Sequence, residues 1–293
     1  MKSALATQTD RFGLGWRREL AAEIFTQLDR IDVVEVIADD FFDAPTRARR
    51  SLRTLAAQVP VVLHGVSLGL ASSVAVDAKR LGKMARLCDE VQPQFWSEHL
   101  AFVRGGGIEI GHLTAPPRNA ETVVGATANL ARAQQIVGAA PLVENIATLI
   151  EPPGSDRNEL SWLTDILAAA NADLLLDLHN LYANATNFGY DPKAFLAALP
   201  AERIRAVHLA GGKWVQARGT QRWLDDHLHD VPAPVYELLT LVGERVPHSL
   251  TVILERDGQY PPLASLLAEL DCARDALALG RARRAANRLE VAA

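Results

Sequence analysis

The chain is 293 residues long, 49% apolar and 22% charged, with a formal net charge of −5. That length and apolar share suit one large α/β domain with a sizeable core, while the acidic balance argues against a nucleic-acid footprint, which is normally basic. No apolar run approaches the ~20 residues that span a bilayer, and MKSALATQTD (1–10) lacks the apolar core of a signal peptide, so neither membrane nor nucleic acid is an expected partner and the cytoplasm is the expected compartment.

Residues 1–10 are expected to be an N-terminal tail. FGLGW (12–16) and IDVVEVIA (31–38) read as the first two strands. A helical pattern at 44–58 then leads to PVVLHG (60–65), one at 76–91 to QFWSEHL (94–100), and one at 121–138 to PLVENI (141–146). A helix at 156–170 precedes ADLLLDL (172–178). IRAVHLA (204–210), a helix at 234–245 and SLTVILE (249–255) complete the series, and from about Leu266 the chain reads as a helix with a basic, frayed end. Runs of Val, Ile and Leu without clean alternation are the mark of strands buried on both faces. Eight of them in regular order with helices predict a single-domain (β/α)8 TIM barrel over 11–280, with 281–293 as a C-terminal tail. The alternative, a doubly wound open sheet, would gather its ligands at one switch point. Cys88 and Cys272 fall in helix-like segments and are expected to be reduced core or near-core thiols.

In such barrels the chemistry sits at the C-terminal ends of the strands. Six runs end there in a metal-capable group: His64, His99, Glu144, Asp177 with His179 and Asn180, His208, and Glu255. The segment WLDDHLHDVPAP (223–234) adds Asp225 and His227, which share a side if the loop is extended, with Asp226 turned away. Taken singly, such a His is more often a satisfied rim residue, and Glu144 or Asp177 a cap or hydrogen-bond acceptor. Taken together, they would place up to four carboxylates in one pocket. Neighbouring carboxylates disfavour each other's ionisation unless cations compensate. The donors exceed the four to six that one zinc or iron ion takes, which favours two or three ions with bridging carboxylates. No cysteine is among them, which argues against a structural zinc site, and the donor chemistry alone leaves iron, manganese and zinc open.

The order of these motifs resembles the multinuclear non-heme iron-dependent oxidative enzymes, a family that includes the methanobactin-biosynthesis oxidase and others that modify cysteines of ribosomally made peptides. The matching stretches run from GLGWR (13–17) and VEVIADDFF (34–42) through LHGVSLGL (63–70), SEHLAF (97–102), LTAPPRN (113–119), ENIATL (144–149) and DLHNLYANATNFG (177–189) to VHLAGG (207–212), the D-x-H-x-H stretch at 225–229 and LERDG (254–258). The resemblance implies that His64, His99, Glu144, Asp177, Asn180, His208, Asp225, His227 and Glu255 surround two or three irons. Of these, His64, His99, Glu144, Asp177, His208 and Glu255 would carry the catalysis. It further implies dioxygen as co-substrate, a cysteine-containing precursor peptide as substrate, and a small partner protein that presents the peptide.

The chain departs from the family pattern in two places. Many members have Asn-Asn where this chain has His179-Asn180, and His179 is expected to pack beside the site rather than bind metal. Where many have Glu-Asn after the second strand, Asp39-Asp40 stands here, and the shorter Asp39 weakens any supporting role. His229 has a counterpart in the family without a clear role. Lys213, Arg218 and Arg222 could meet an acidic leader peptide, although solvated surface charge is the plainer reading. Two other functions fit the ligand types: a zinc- or manganese-dependent hydrolase or isomerase, of the abasic-site endonuclease or xylose-isomerase-like kind, and a metal-binding accessory protein without turnover.

Overall fold

The computed structural model describes residues 9–217 and 219–292; residues 1–8 of the expected N-terminal tail, Arg218 and Ala293 lie outside the described residues. Among the described residues there are twelve strands: β1 (Arg11–Gly15), β2 (Val33–Ile37), β3 (Val61–Gly65), β4 (Trp96–His99), β5 (Phe102–Gly105), β6 (Ile108–Thr114), β7 (Leu142–Glu144), β8 (Asp173–Asp177), β9 (Ile204–Leu209), β10 (Gly212–Ala217), β11 (Thr220–Asp225) and β12 (Thr251–Leu254). Eight of them close a parallel barrel in the order β1–β2–β3–β4–β7–β8–β9–β12, each inside one of the eight runs read from the sequence or within a residue of it. β5–β6 and β10–β11 are antiparallel hairpins outside the barrel.

Alternation along each strand sorts the side chains. Leu14, Val36, Leu63, Val143, Leu176 and Val252 belong to the large cluster between sheet and helices. Each such side chain contributes about 1.5–3 kcal/mol on full burial. Their neighbours in sequence face the barrel axis. Val33, Val62 and Ile253 form one small cluster, Leu142, Leu175 and Ala206 another, and Phe95 packs against both. On β1 the inward position is Gly13, where a Cβ would lie 2.0 Å from the Val33 carbonyl oxygen. Two residues further along the other seven strands the same face becomes polar: Glu35, His64, Ser97, Glu144, Asp177, His208 and Glu255, all buried. The barrel is therefore plugged with apolar side chains below and polar ones above, at the C-terminal rim.

The five expected helices are present as Thr46–Ala56, Ala78–Val91, Ala120–Val137, Glu159–Ala169 and Ala233–Arg245. The structure adds a helix absent from the sequence reading, Leu178–Phe188, directly after β8. Asp177 is its N-cap, accepting from the Asn180 amide at 2.7 Å, and Gly189 in the left-handed region (φ 75°) ends it. The last helix runs unbroken over Leu263–Ala292 and crosses Ala233–Arg245 where Gly280 lies against Gly243. Its Arg281 donates to Asp10 and to the carbonyls of Val246 and His248. Both cysteines are free. Cys88 is partly buried, but Cys272 is exposed rather than near-core, because the last helix buries its neighbours Leu270 and Ala273 instead. Among the described residues no helix is long and apolar enough to cross a membrane.

Candidate metal centre

Glu144, the last residue of β7, sits at the middle of the polar layer. Its Oε2 faces His64 Nε2 at 3.4 Å and His99 Nε2 at 3.5 Å, and its Oε1 faces His208 Nδ1 at 3.2 Å. The far nitrogens of His64 and His99 are tied back, His64 Nδ1 to Ser97 Oγ at 2.8 Å and His99 Nδ1 to the Gly65 carbonyl at 3.3 Å. With Nδ1–H donating in each case, both rings present a lone pair on Nε2 to the same carboxylate oxygen.

On the other side of Glu144, His208 Nδ1 also lies 3.2 Å from Glu255 Oε2. Asp177 spends Oδ1 on the cap of its helix, which leaves Oδ2 without a partner. The Asp177 backbone is clamped by Asn145, whose side chain donates to its carbonyl at 3.0 Å and accepts from its amide at 2.9 Å. Asn180 donates its side-chain amide to the Asn145 carbonyl, and its own Oδ1 is free.

A third group comes from outside the barrel. Asp225 ends β11, and its Oδ1 meets His227 Nε2 at 2.9 Å. The pair converges through a turn rather than the expected extended backbone. His227 has φ 55°, a costly left-handed conformation for a non-glycine residue. It is held by bonds from its amide to the Gly211 carbonyl and from the Asp257 amide to its own carbonyl, each 3.0 Å. His179 Nδ1 lies 2.6 Å from Asp225 Oδ1, and its Nε2 is 2.9 Å from Trp223 Nε1. Indole nitrogen only donates, so Nε2 accepts and Nδ1 carries the proton given to Asp225. His179 is thereby engaged at both nitrogens as a brace for Asp225. Asn187 fastens Trp223 to the barrel side by a bond in each direction.

Ligand-capable atoms thus fall into three groups, each with all atoms within 4.8 Å of one another: His64, His99 and Glu144; Glu144, Asp177, His208 and Glu255; and His179, Asp225 and His227. Burial pushes Glu35 up to about 7 and Asp177 well above its usual range, the latter with help from Glu144 and Asp225. Burial lowers His64 to about 3. His99 rises to about 9, burial being outweighed by Glu144 and Glu98, and His208 and His227 are raised by the carboxylates around them. The metal-free site therefore balances its carboxylates with protons, and cations compete for the same positions.

The donor set fits such ions. Buried polar atoms without a hydrogen-bond partner are few in native proteins. Here Glu35 Oε1, Glu144 Oε2, Asp177 Oδ2, Asn180 Oδ1 and both His227 nitrogens lack one. The short His227 contacts are ion-pair distances without hydrogen-bond angles. Five carboxylates (Glu35, Glu144, Asp177, Asp225 and Glu255) lie within this set. Two more flank it: Asp257 is neutralised by Arg17, and burial raises Glu98 beside His99 so that it holds its proton more tightly. Against those five charges and neutral imidazoles, two divalent ions leave one negative charge and three leave one positive.

A cavity of about 420 Å³ opens above these groups. Its floor includes His64, His99, Glu144, Asp225, His227 and Glu255; its walls include Ile37, Val66, Leu113, Ile146 and Leu149. Asn184 pins the β7 loop that forms one wall, accepting from the Thr148 amide and donating to the Ile146 carbonyl and to Glu159, each at 2.9 Å.

All nine residues singled out as ligands in the sequence lie at this rim, together with His179. Asp226, expected to turn away, is mostly buried and lines the cavity, where it holds His229 Nδ1 at 2.9 Å. Asp39 accepts from Ser67 and from the Val66 amide, so despite its short side chain it orders the turn after β3. Lys213 pairs with Asp226, and Arg222 donates to the Asn187 carbonyl and lies over Phe188, so both serve the hairpin; Arg218 lies outside the described residues. Glu35, Asn145 and Asp257 escaped the sequence reading. The signal for Glu35 was present, a lone charge inside the apolar run VVEVI, which must be paired if buried.

The family described as RiPP precursor modification enzyme MbnB/TglH/ChrH matches residues 11–278. The UPF0276 protein of Rhizorhabdus wittichii is 37% identical over 278 residues, which cover 94% of this chain and 97% of that one. Among solved structures, an L-ribulose 3-epimerase superposes with a TM-score of 0.62 at 14% identity, covering 97% of this chain and 99% of its own. Endonuclease IV from Thermus thermophilus gives 0.58 at 20% identity, covering 91% and 98%. At these identities the two structures share the fold alone.

Proposed function

The chain belongs to the family of RiPP precursor modification enzymes MbnB/TglH/ChrH, and on that premise we propose that it is a multinuclear iron, dioxygen-dependent oxidase acting on cysteine residues of a ribosomally made precursor peptide. The observation that carries the metal part is Glu144, whose two oxygens face two different groups of ligand-capable atoms, the position a bridging carboxylate requires. His64 and His99 would hold one ion with Glu144; Asp177, His208 and Glu255 would hold a second with it. Asp225 and His227 would hold a third, joined by Asn180 if the family resemblance holds at that position. When bound, iron supplies electrons for dioxygen chemistry and lowers the pKa of a coordinating thiol.

The chain's own residues do the rest. Ser97, the Gly65 carbonyl and Asn145 fix the donors before any ion arrives, so little reorganisation is left for binding. Apolar walls limit water above the floor and offer contact to a peptide side chain lowered into the cavity. The cysteine identity and a small protein that presents the peptide follow from the family resemblance, not from a residue here.

The test is anaerobic purification with metal analysis, followed by incubation with the precursor peptide and partner protein encoded beside the gene. More than one iron per chain is expected, with oxygen uptake only when peptide is present and a mass change located at a cysteine. Glu255→Ala should abolish all of these. An unchanged peptide mass with iron-replete enzyme, oxygen and partner present would refute the substrate assignment.

A further inference from the structure

We infer that Glu35 is a positioning carboxylate that commits His208 to metal through Nδ1, the opposite nitrogen from the one His64 and His99 present. The inference rests on the metal reading above. His208 Nε2 lies 2.8 Å from Glu35 Oε2, while its Nδ1 faces Glu144 and Glu255 at 3.2 Å each. A neutral imidazole has one donor and one lone pair. With Nε2–H given to Glu35, the lone pair of Nδ1 points into the group formed by Glu144, Asp177 and Glu255. His64 and His99 are arranged the other way, with Nδ1 tied back and Nε2 inward.

The three tethers also differ in kind. His64 is held by a hydroxyl and His99 by a backbone carbonyl, with the buried Glu98 carboxylate 3.6 Å from His99 Nδ1 and outside hydrogen-bond reach, but His208 is held by a fully buried carboxylate at 2.8 Å. A carboxylate accepting from the outer N–H fixes the ring and makes the inner nitrogen a stronger donor. The two ions that share Glu144 would therefore not be equivalent, because the one at Glu144, Asp177 and Glu255 has the more basic imidazole. Glu35 stands on β2 and His208 on β9, strands that do not pair in the barrel sheet, so the contact spans the lumen. Glu35 faces the interior from the middle of an apolar strand, which makes a purely structural role a poor explanation.

Zinc serves as a diamagnetic probe that needs no dioxygen. In uniformly 15N-labelled, zinc-loaded full chain, long-range 1H–15N correlation should report His208 with Nδ1 bound and Nε2 protonated, and His64 and His99 with the reverse. Glu35→Gln should keep its fold and its full zinc content at saturation. It should lose about 10–100-fold in chelator-measured affinity for one zinc only, with faster solvent exchange of the His208 ring proton. Glu35→Asp should recover part of that loss. His208 binding through Nε2 in the wild type, a Glu35→Gln affinity within twofold of the wild type, or outright loss of the ion at saturation (Glu35 then being a ligand itself) would each overturn the inference. A wild-type chain that takes up neither zinc nor iron refutes the metal reading, and the inference falls with it.

Discussion

Replacing Glu144 by Gln should cost the protein more metal-dependent stability than replacing any carboxylate that serves one group. Glu144 belongs to two of the three groups of ligand-capable atoms, whereas Asp225 belongs only to the group on the β11 loop. An ion held at a hundred times its Kd stabilises the folded state by about 2.7 kcal/mol. Unfolding entropy near 60 °C is about 2.1 cal/mol/K per residue, or about 0.6 kcal/mol/K for 293 residues. One ion should therefore raise Tm by about 4 °C, two by about 9 °C and three by about 13 °C. Glu144→Gln keeps the shape but makes one of the two oxygens a poor ligand, so only the third group's increment of about 4 °C should survive. Asp225→Asn should retain about 9 °C. Scanning calorimetry of metal-free and anaerobically iron-loaded samples, with bound iron quantified in each, measures these increments. Equal Tm values for metal-free and loaded wild type would refute the argument. So would Glu144→Gln with an undiminished increment, or Asp225→Asn losing more than Glu144→Gln.

Three further outcomes follow from the same contacts. Asn184→Leu strands the Thr148 amide, the Ile146 carbonyl and one bond to Glu159, and should destabilise the fold by about 3 kcal/mol, a fall of about 5 °C in Tm by calorimetry; a fall under 1 °C would show that the cavity wall is held by something else. Burial pushes the Cys88 thiol to about 11, so at pH 8 its thiolate fraction is roughly a hundredfold below that of an ordinary thiol; mass spectrometry after brief iodoacetamide treatment at pH 8 should find Cys272 labelled and Cys88 not, with Cys88 gaining label as pH approaches 10. Burial also raises Glu269 to about 7, so the folded state holds this proton more tightly than the unfolded one. That contribution is full below the usual carboxylate value and is lost as pH rises through about 7. Glu269→Gln removes it, so the Tm of wild type minus variant should fall between pH 5.5 and 8.5, and a flat difference would contradict the shift.

Much of the architecture was legible because unbroken apolar runs that end in a polar group are local patterns. VVLH, LVE, LLLD, AVH and VILE each carry an apolar side chain and, two residues on, a polar one on the same face, and in a barrel that face can only be the interior. The sequence therefore determined the eight strands, the fold class and the rim on which His64, Glu144, Asp177, His208 and Glu255 stand. Only the tertiary structure decided which of them meet. Glu35 and His208 are 173 positions apart, and their contact depends on barrel closure and register, which no local pattern carries. Asp225 reaches the site because Asn187 and His179 hold a hairpin over the mouth, and His227 because its backbone is held in a left-handed turn that the D-x-H spacing does not announce. His179 carried the right chemistry for a ligand, yet its two nitrogens are engaged by Asp225 and Trp223, both on β11. A residue's type fixes what it can donate or accept; the fold alone fixes what stands within 3 Å to take it.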